Sequence, residues 1–176
     1  MVVSPDAGGV PRAEFFAKRL KSTLAVIIKR RPEPDVSEVT HIVGDVEEKI
    51  AVVVDDMIST GGTLVKAAEA LRKKGATDVY TLATHGIFAG DAIAQFEKSE
   101  ISKVIVTNTI PRTIESPKVE HLTIAQILAD AIKRITSNRS VSELFSADDV
   151  EPPNDHPPPA RNQTEPPVAA PVLTAR

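Results

Sequence analysis

The chain reads as an α/β protein with a parallel sheet flanked by helices. Three observations predict this. Short apolar runs alternate with segments whose apolar residues recur every three or four positions, the pattern of strands joined by crossover helices. One run, Ile50 to Val54, is apolar throughout, as a strand buried on both faces requires. That run leads through a Gly-Gly turn into helical spacing from Leu64, the order of a strand-to-helix unit.

Val2-Val3 reads as the end of a strand. Gly8-Gly9-Val10-Pro11 opens a helix running to about Lys21, with Phe15, Phe16 and Leu20 on its inner side. Leu24 to Ile28 reads as a buried strand. Arg30 to Val39 carries two prolines and several charges and reads as an exposed, mobile loop. Ile42-Val43 starts a short strand, and Asp45 to Lys49 turns the chain into the central run Ile50–Val54. Leu64, Ala67, Ala68 and Leu71 then mark one face of a helix that Gly75 ends. Val79 to Ala83 is the next strand, followed by a helix from about Asp91 to Phe96. Lys103 to Thr107 and, more weakly, Val119 to Leu122 complete the sheet. Thr123 caps a last helix, with Ile124, Ile127, Leu128, Ala131 and Ile135 facing inward.

Composition bounds the rest. Eight of the 14 prolines fall between Pro152 and Pro171, among Asp148, Asp149, Glu151 and Asp155 and with almost no aromatic residue. Residues 147–176 are therefore expected to form a disordered Pro-rich tail, leaving one domain over residues 1–146. A net charge of −3 without a long basic run argues against nucleic acid as a partner. There is no cysteine, so neither a disulfide framework nor a thiolate site is available. No apolar run reaches the roughly 18 residues of a membrane span. The opening Met-Val-Val-Ser-Pro-Asp lacks the basic flank and apolar core of a signal peptide. The expectation is a cytoplasmic protein with no membrane partner.

The most informative stretch is Val54-Asp55-Asp56-Met57-Ile58-Ser59-Thr60-Gly61-Gly62-Thr63. Ligands of open α/β sheets sit beyond the carboxyl ends of the strands. Here that end offers clustered N–H groups, the hydroxyls of Ser59, Thr60 and Thr63, and a helix N-terminus, which together cradle a phosphate. Gly61 and Gly62 let the backbone approach the anion without a Cβ in the way. Asp55 and Asp56 would repel a phosphate but suit sugar hydroxyls. The loop thus predicts a sugar phosphate. An ordinary capped strand-to-helix turn is the plainer alternative.

The remaining candidates are weaker when read alone. Lys29, Arg30 and Arg31 form a basic triplet, which is usually a solvated face. Asp6 before Gly8-Gly9 is usually a helix cap, and His85 at a strand end is as often structural as functional. His41 and His121 have no constellation around them, and His156 lies in the tail.

The Asp55–Thr63 loop resembles the phosphoribosyl-diphosphate loop of the type I phosphoribosyltransferase fold. Three further segments resemble ribose-phosphate diphosphokinase, also called phosphoribosyl-diphosphate synthase. They are Val3-Ser4-Pro5-Asp6-Ala7-Gly8-Gly9, the Lys29-Arg30-Arg31-Pro32 segment of that family's mobile catalytic loop, and Thr84-His85-Gly86-Ile87-Phe88-Ala89-Gly90. They occur in the family's order, from Val2 to about Phe145. The family's chains are close to twice this length, so the resemblance is to their C-terminal half. The other half supplies most adenine and ATP contacts and a metal-binding His in the family. Ile28 also departs from the family, whose close members place an acid before the catalytic Lys.

The resemblance implies transfer of the diphosphoryl group of Mg-ATP to the C1 hydroxyl of ribose 5-phosphate, giving phosphoribosyl diphosphate and AMP. It implies Lys29 as catalytic and Arg31 as a second cation that also contacts substrate, with Arg30 facing solvent. It implies ribose 5-phosphate on Asp55, Asp56, Ser59, Thr60, Gly61, Gly62 and Thr63, Mg²⁺ on Asp6, and His85 near the nucleotide. A non-catalytic ribose-5-phosphate-binding subunit and a phosphoribosyltransferase are the alternatives; the basic triplet speaks against the second. The resemblance also implies a homo-oligomer, or a partner that is a full-length or N-terminal-half chain, and an exposed apolar face where that half would dock.

Overall fold

A computed structural model of the protein describes residues 1–33 and 36–145; for residues 29–33, 36–40 and 145 the description is of the backbone alone. Seven strands form one sheet: β1 (Val2–Ser4), β2 (Leu24–Glu33), β3 (Val36–Val43), β4 (Ile50–Ile58), β5 (Asp78–Gly86), β6 (Lys103–Thr107) and β7 (Val119–Leu122). Their order across the sheet is β3-β2-β1-β4-β5-β6-β7. Every neighbouring pair is parallel except the antiparallel β2–β3 hairpin at one edge. Four helices join or follow the strands: α1 (Val10–Arg19), α2 (Gly62–Lys73), α3 (Ala92–Lys98) and α4 (Ala125–Thr136). A short 3₁₀ turn spans Ser142–Phe145. The predicted α/β class holds, with one antiparallel edge. The expected tail, residues 147–176, lies outside the described residues.

The two-residue period of the strands sorts the core into two layers. Val3, Ala25, Ile27, Ala51 and Val53 pack with Leu64, Ala67, Ala68 and Leu71 of α2 and with Ala92 and Phe96 of α3. Val2, Val54 and partly buried Val52 and Leu24 point the other way, onto Ala13, Ala17 and Phe16 of α1. The chain leaves β1 toward β2 on one side and reaches β4 on the other. The β1–β4 boundary is therefore the switch point of the sheet, where a crevice opens above the carboxyl ends.

Four expectations are corrected. β4 does not end at Val54: it runs on to Ile58, because β5 continues alongside it to the pair Ile58↔Gly86. Asp55 and Asp56 therefore lie inside a strand. Arg30–Glu33 and Val36–Val39 are strand, not loop: they belong to β2 and β3, which pair antiparallel with register irregularities at Ile28/Lys29 and between Arg30 and Glu33, the interval that holds Pro32. Proline is admitted to strands at such irregularities and at edges. The inner face of α1 is built from Ala13, Ala17 and Phe16, whereas Phe15 and Leu20 are 54% and 59% exposed. Small residues are what allow this helix to lie close to the sheet.

The last helix differs most from expectation. None of its residues is buried, and its described packing is against the 3₁₀ turn. Ile127, Leu128, Ile132 and Ile135 are each more than half exposed. Its N-cap is Ile124 rather than the expected Thr123, which lies one residue earlier and accepts the Ala125 N–H on its Oγ1 at 3.2 Å.

Candidate sugar-phosphate site

At the switch point the chain ends three elements close together: the turn after β1, the end of β4 and the first turn of α2. Asp6, Asp55, Met57, Ile58, Ser59, Thr60, Gly61, Thr63 and Leu64 line one pocket of about 180 Å³ there. Six residues predicted from sequence, Asp6, Asp55, Ser59, Thr60, Gly61 and Thr63, thus share one cavity. Asp56 and Gly62 flank it without lining it, and His85 stands apart from it.

The turn has the features of an anion cradle. Gly61 adopts a left-handed φ of +77° and sits immediately before α2. Its carbonyl accepts the Leu64 and Val65 N–H groups, which starts the helix. Among the described residues, the N–H groups of Thr60 and Gly61 and the hydroxyls of Ser59, Thr60 and Thr63 have no protein partner. The first amides of α2 are free by the geometry of a helix start. A helix N-terminus with clustered donors favours an anion.

What Gly61 leaves room for is not only the ligand. A Cβ there would lie 2.4 Å from Cζ of the Phe96 ring, whereas one on Gly62 would meet nothing closer than Gln95 Oε1 at 3.9 Å. Phe96, on α3, is fully buried and packs edge-to-face on Phe88, with ring centroids 6.1 Å apart. The segment before α3 is tied to the turn by backbone bonds. Ile87 and Phe88 donate to the Ile58 carbonyl at 2.9 and 3.1 Å, and Ala89 donates to that of Ser59 at 3.0 Å. The turn is thereby held from beneath, which the sequence reading missed.

Asp6 has one carboxylate oxygen committed to the local turn and one open. Its Oδ1 accepts the Gly9 N–H at 3.0 Å, which fixes the turn into α1, and its carbonyl accepts the Ser4 hydroxyl at 2.7 Å. Its Oδ2 has no partner among the described residues. Metals of the Mg²⁺ type take one or two carboxylates and complete their shell with phosphate oxygens and water. A single carboxylate facing a phosphate cradle fits that mode. Among the described residues no group of three or more His, Asp or Glu side chains could hold a metal alone.

Asp55 and Asp56 are joined by a residue that sequence reasoning did not single out. Arg12, from α1, places Nη1 3.1 Å from Asp55 Oδ1 and Nη2 3.1 Å from Asp56 Oδ2. Its signal was a cation in the first turn of a helix, where the dipole disfavours one. Burial raises the Asp55 carboxyl above its ordinary value, and the neighbouring Asp56 adds to the effect. Burial also resists charge on Asp56, but its bond with Asp55, the Arg12 cation and the Met57 N–H outweigh this and hold it below the usual value. Adjacent like charges split in this way, one carboxyl keeping its proton longer than the other.

His85 lies on β5 opposite Met57. Its Nδ1 is 2.8 Å from the Thr109 hydroxyl, which itself bonds the Thr84 carbonyl at 3.1 Å. This fixes the ring orientation. Lys29, Arg30 and Arg31 belong by backbone to β2, and their side chains lie outside the described residues. β2 runs parallel to β1, and Lys29 lies three residues beyond the Ser4↔Val26 pair. The hairpin thus rises at the same end of the sheet as the cradle. A register irregularity falls just before Lys29, a device that re-aims side chains beside active sites.

The fold and the pocket together define an open α/β protein with a cluster of hydroxyls, backbone amides and carboxylates at the switch point of its sheet. Residues 31–146 match the phosphoribosyl synthetase-associated domain, and the chain belongs to that family. It is 50% identical over 151 residues to the ribose-phosphate pyrophosphokinase of Haemophilus ducreyi, covering 84% of this chain and 48% of that protein. It is 49% identical over 148 residues to that of Caldanaerobacter subterraneus subsp. tengcongensis, covering 83% and 47%. The crystal structure of phosphoribosylpyrophosphate synthetase from Mycobacterium smegmatis superposes with a TM-score of 0.70 at 41% identity, over 78% of this chain and 45% of that one. The chain spans about half the length of the curated relatives it matches.

Proposed function

We propose that this chain binds ribose 5-phosphate and carries the sugar-phosphate half of a ribose-phosphate diphosphokinase. The observation that carries this reading is the single pocket shared by Asp6, Asp55, Ser59, Thr60, Gly61 and Thr63, in a chain half identical to enzymes of that name. The 5-phosphate sits on the Thr60 and Gly61 amides, the start of α2 and the three hydroxyls. The ribose hydroxyls face Asp55. In the reaction, the C1 oxygen attacks the β-phosphorus of ATP, the bond from that phosphorus to the α-phosphate oxygen breaks, AMP departs and the hydroxyl proton is released.

Little covalent chemistry falls to the protein in such a transfer; positioning and charge stabilisation dominate. Lys29 and Arg31, on the hairpin above the crevice, are the cations assigned to the moving diphosphoryl group and the leaving AMP. Mg²⁺, held by Asp6 and by phosphate oxygens, would offset the charge of the triphosphate. We assign the chain to the cytoplasm. No helix among the described residues is long and apolar enough to cross a membrane. We also propose that it works with a second polypeptide surface, as a homo-oligomer or beside a chain carrying the rest of the relatives' length.

The test is release of AMP by the purified chain given Mg-ATP and ribose 5-phosphate. Release that requires the sugar phosphate and disappears in Lys29→Ala is the expected result. Binding of ribose 5-phosphate without AMP would assign the chain a non-catalytic role. Neither binding nor release would overturn the proposal.

A further inference from the structure

Among the described residues, Arg12 is the one side chain that grips both halves of the acid pair from a different element. Its fork reaches from α1, on the β1 side of the switch point, to β4 on the other side. Three of the four carboxylate oxygens of the pair are accounted for by this fork and by the strand itself. Asp55 Oδ1 accepts Arg12 Nη1 and the Asp56 N–H at 2.9 Å. Asp56 Oδ1 accepts the Met57 N–H at 2.8 Å, and Asp56 Oδ2 accepts Arg12 Nη2. The fourth, Asp55 Oδ2, accepts no hydrogen bond from the described residues, and Asp55 lines the pocket at the switch point.

This arrangement has a chemical consequence. Two adjacent carboxylates repel each other and any anionic ligand beside them. One guanidinium halves the charge of the pair. Its planar fork also fixes both carboxylates in orientation, which the single ammonium of a lysine does not. A cation in the first turn of a helix is unfavourable for the helix itself, so Arg12 is not there to stabilise α1.

We propose that Arg12 is a positioning residue for the sugar: by bridging Asp55 and Asp56 it presents the open Oδ2 of Asp55 to a ribose hydroxyl. The inference rests on the reading of the pocket as a ribose-5-phosphate site and adds a division of labour within it. The turn holds the phosphate, and Arg12 acts first on recognition of the sugar.

Calorimetric titration of the full chain with ribose 5-phosphate and, separately, with inorganic phosphate distinguishes these parts. Arg12→Ala is expected to weaken ribose 5-phosphate binding about 10-fold or more, the effect of losing charge-assisted hydrogen bonds, and to weaken inorganic phosphate binding much less, through the uncompensated carboxylate charge alone. Arg12→Lys, which reaches one carboxylate at a time, falls between. In an Asp55→Asn background, Arg12→Ala adds no further loss, as coupled residues require. Should Arg12→Ala not fold, Arg12→Gln carries the same expectation. Wild-type affinity for ribose 5-phosphate in the Ala or Gln variant, tighter binding, or equal loss of both ligands would overturn the role of Arg12. A wild-type chain that binds phosphate but shows no preference for the sugar phosphate would instead overturn the reading of the pocket, and the inference with it.

Discussion

At the scale of single residues, the acid pair is where chemistry and stability meet. Asp55 is raised by burial and by Asp56, so the folded chain holds that proton more tightly than the unfolded chain does. Its contribution to stability is therefore lost as pH rises from the ordinary carboxylate value, 3.8, through the raised one. Asp56 is lowered and works in the opposite sense, favouring the fold above the ordinary value. An Asp55→Asn chain loses the first effect. Its stability relative to wild type should rise between pH 4 and pH 7, measured as the difference in urea midpoints. A flat difference would mean that Asp55 titrates as an exposed carboxylate, and a falling one that the fold favours its charged form.

At the scale of elements, the phosphate turn depends on a helix that contributes nothing to its sequence motif. Gly61 combines a left-handed φ with a position directly above the Phe96 ring. Gly61→Ala is expected to destabilise the chain by about 1–3 kcal/mol, from backbone strain and overpacking, and to weaken phosphate binding. Adding Phe96→Leu should recover part of the binding by relieving the clash, although it costs stability of its own. If the double variant binds no better than Gly61→Ala, strain at φ alone explains the loss.

How much of this was legible in the sequence follows from the same elements. α2 was read face for face, because Leu64, Ala67, Ala68 and Leu71 keep strict helical spacing and all are buried. The cradle was legible because its residues are contiguous. Phe96 and Arg12 were not, because each reaches the site from another element and long-range packing leaves no local pattern. Asp55 and Asp56 read as a strand end because carboxylates are poor strand formers, but pairing with β5 overrides that preference. The prolines of the β2–β3 region concealed a hairpin for a similar reason. α1 was misjudged because large apolar residues suggest an inner face, whereas close approach to the sheet selected Ala13 and Ala17.

At the scale of the whole molecule, two stretches of uncovered apolar surface stand out among the described residues. One is the stripe of Ile127, Leu128, Ile132 and Ile135 on α4. The other is a groove of about 180 Å³ on the α1 side of the sheet, lined by Phe16, Val54, Leu82, Ile105 and Leu122 among others. The sequence reading of α4 supplied the right stripe and the wrong surroundings. Helical periodicity shows which face is apolar, not whether anything packs on it. A chain with this surface should enhance the fluorescence of 1-anilinonaphthalene-8-sulfonate. An Ile127→Ser/Ile132→Ser variant should lose much of that signal while its stability stays within about 0.5 kcal/mol per site, as for exposed positions. Absence of dye binding by the wild-type chain would show that these surfaces are covered in solution.

The placement of β1 bears on how the chain is assembled. Only three residues long, it pairs with Leu24–Val26 on one side and with Val52 and Val53 on the other. It is synthesised before either neighbour, and its second neighbour follows some fifty residues later. Until then one edge of β1 is an unpaired row of amides and carbonyls beside apolar side chains, a template for foreign strands. The β1–β4 seam of the finished sheet thus cannot close until β4 has been made, and the nascent chain carries that open edge until β4 emerges from the ribosome.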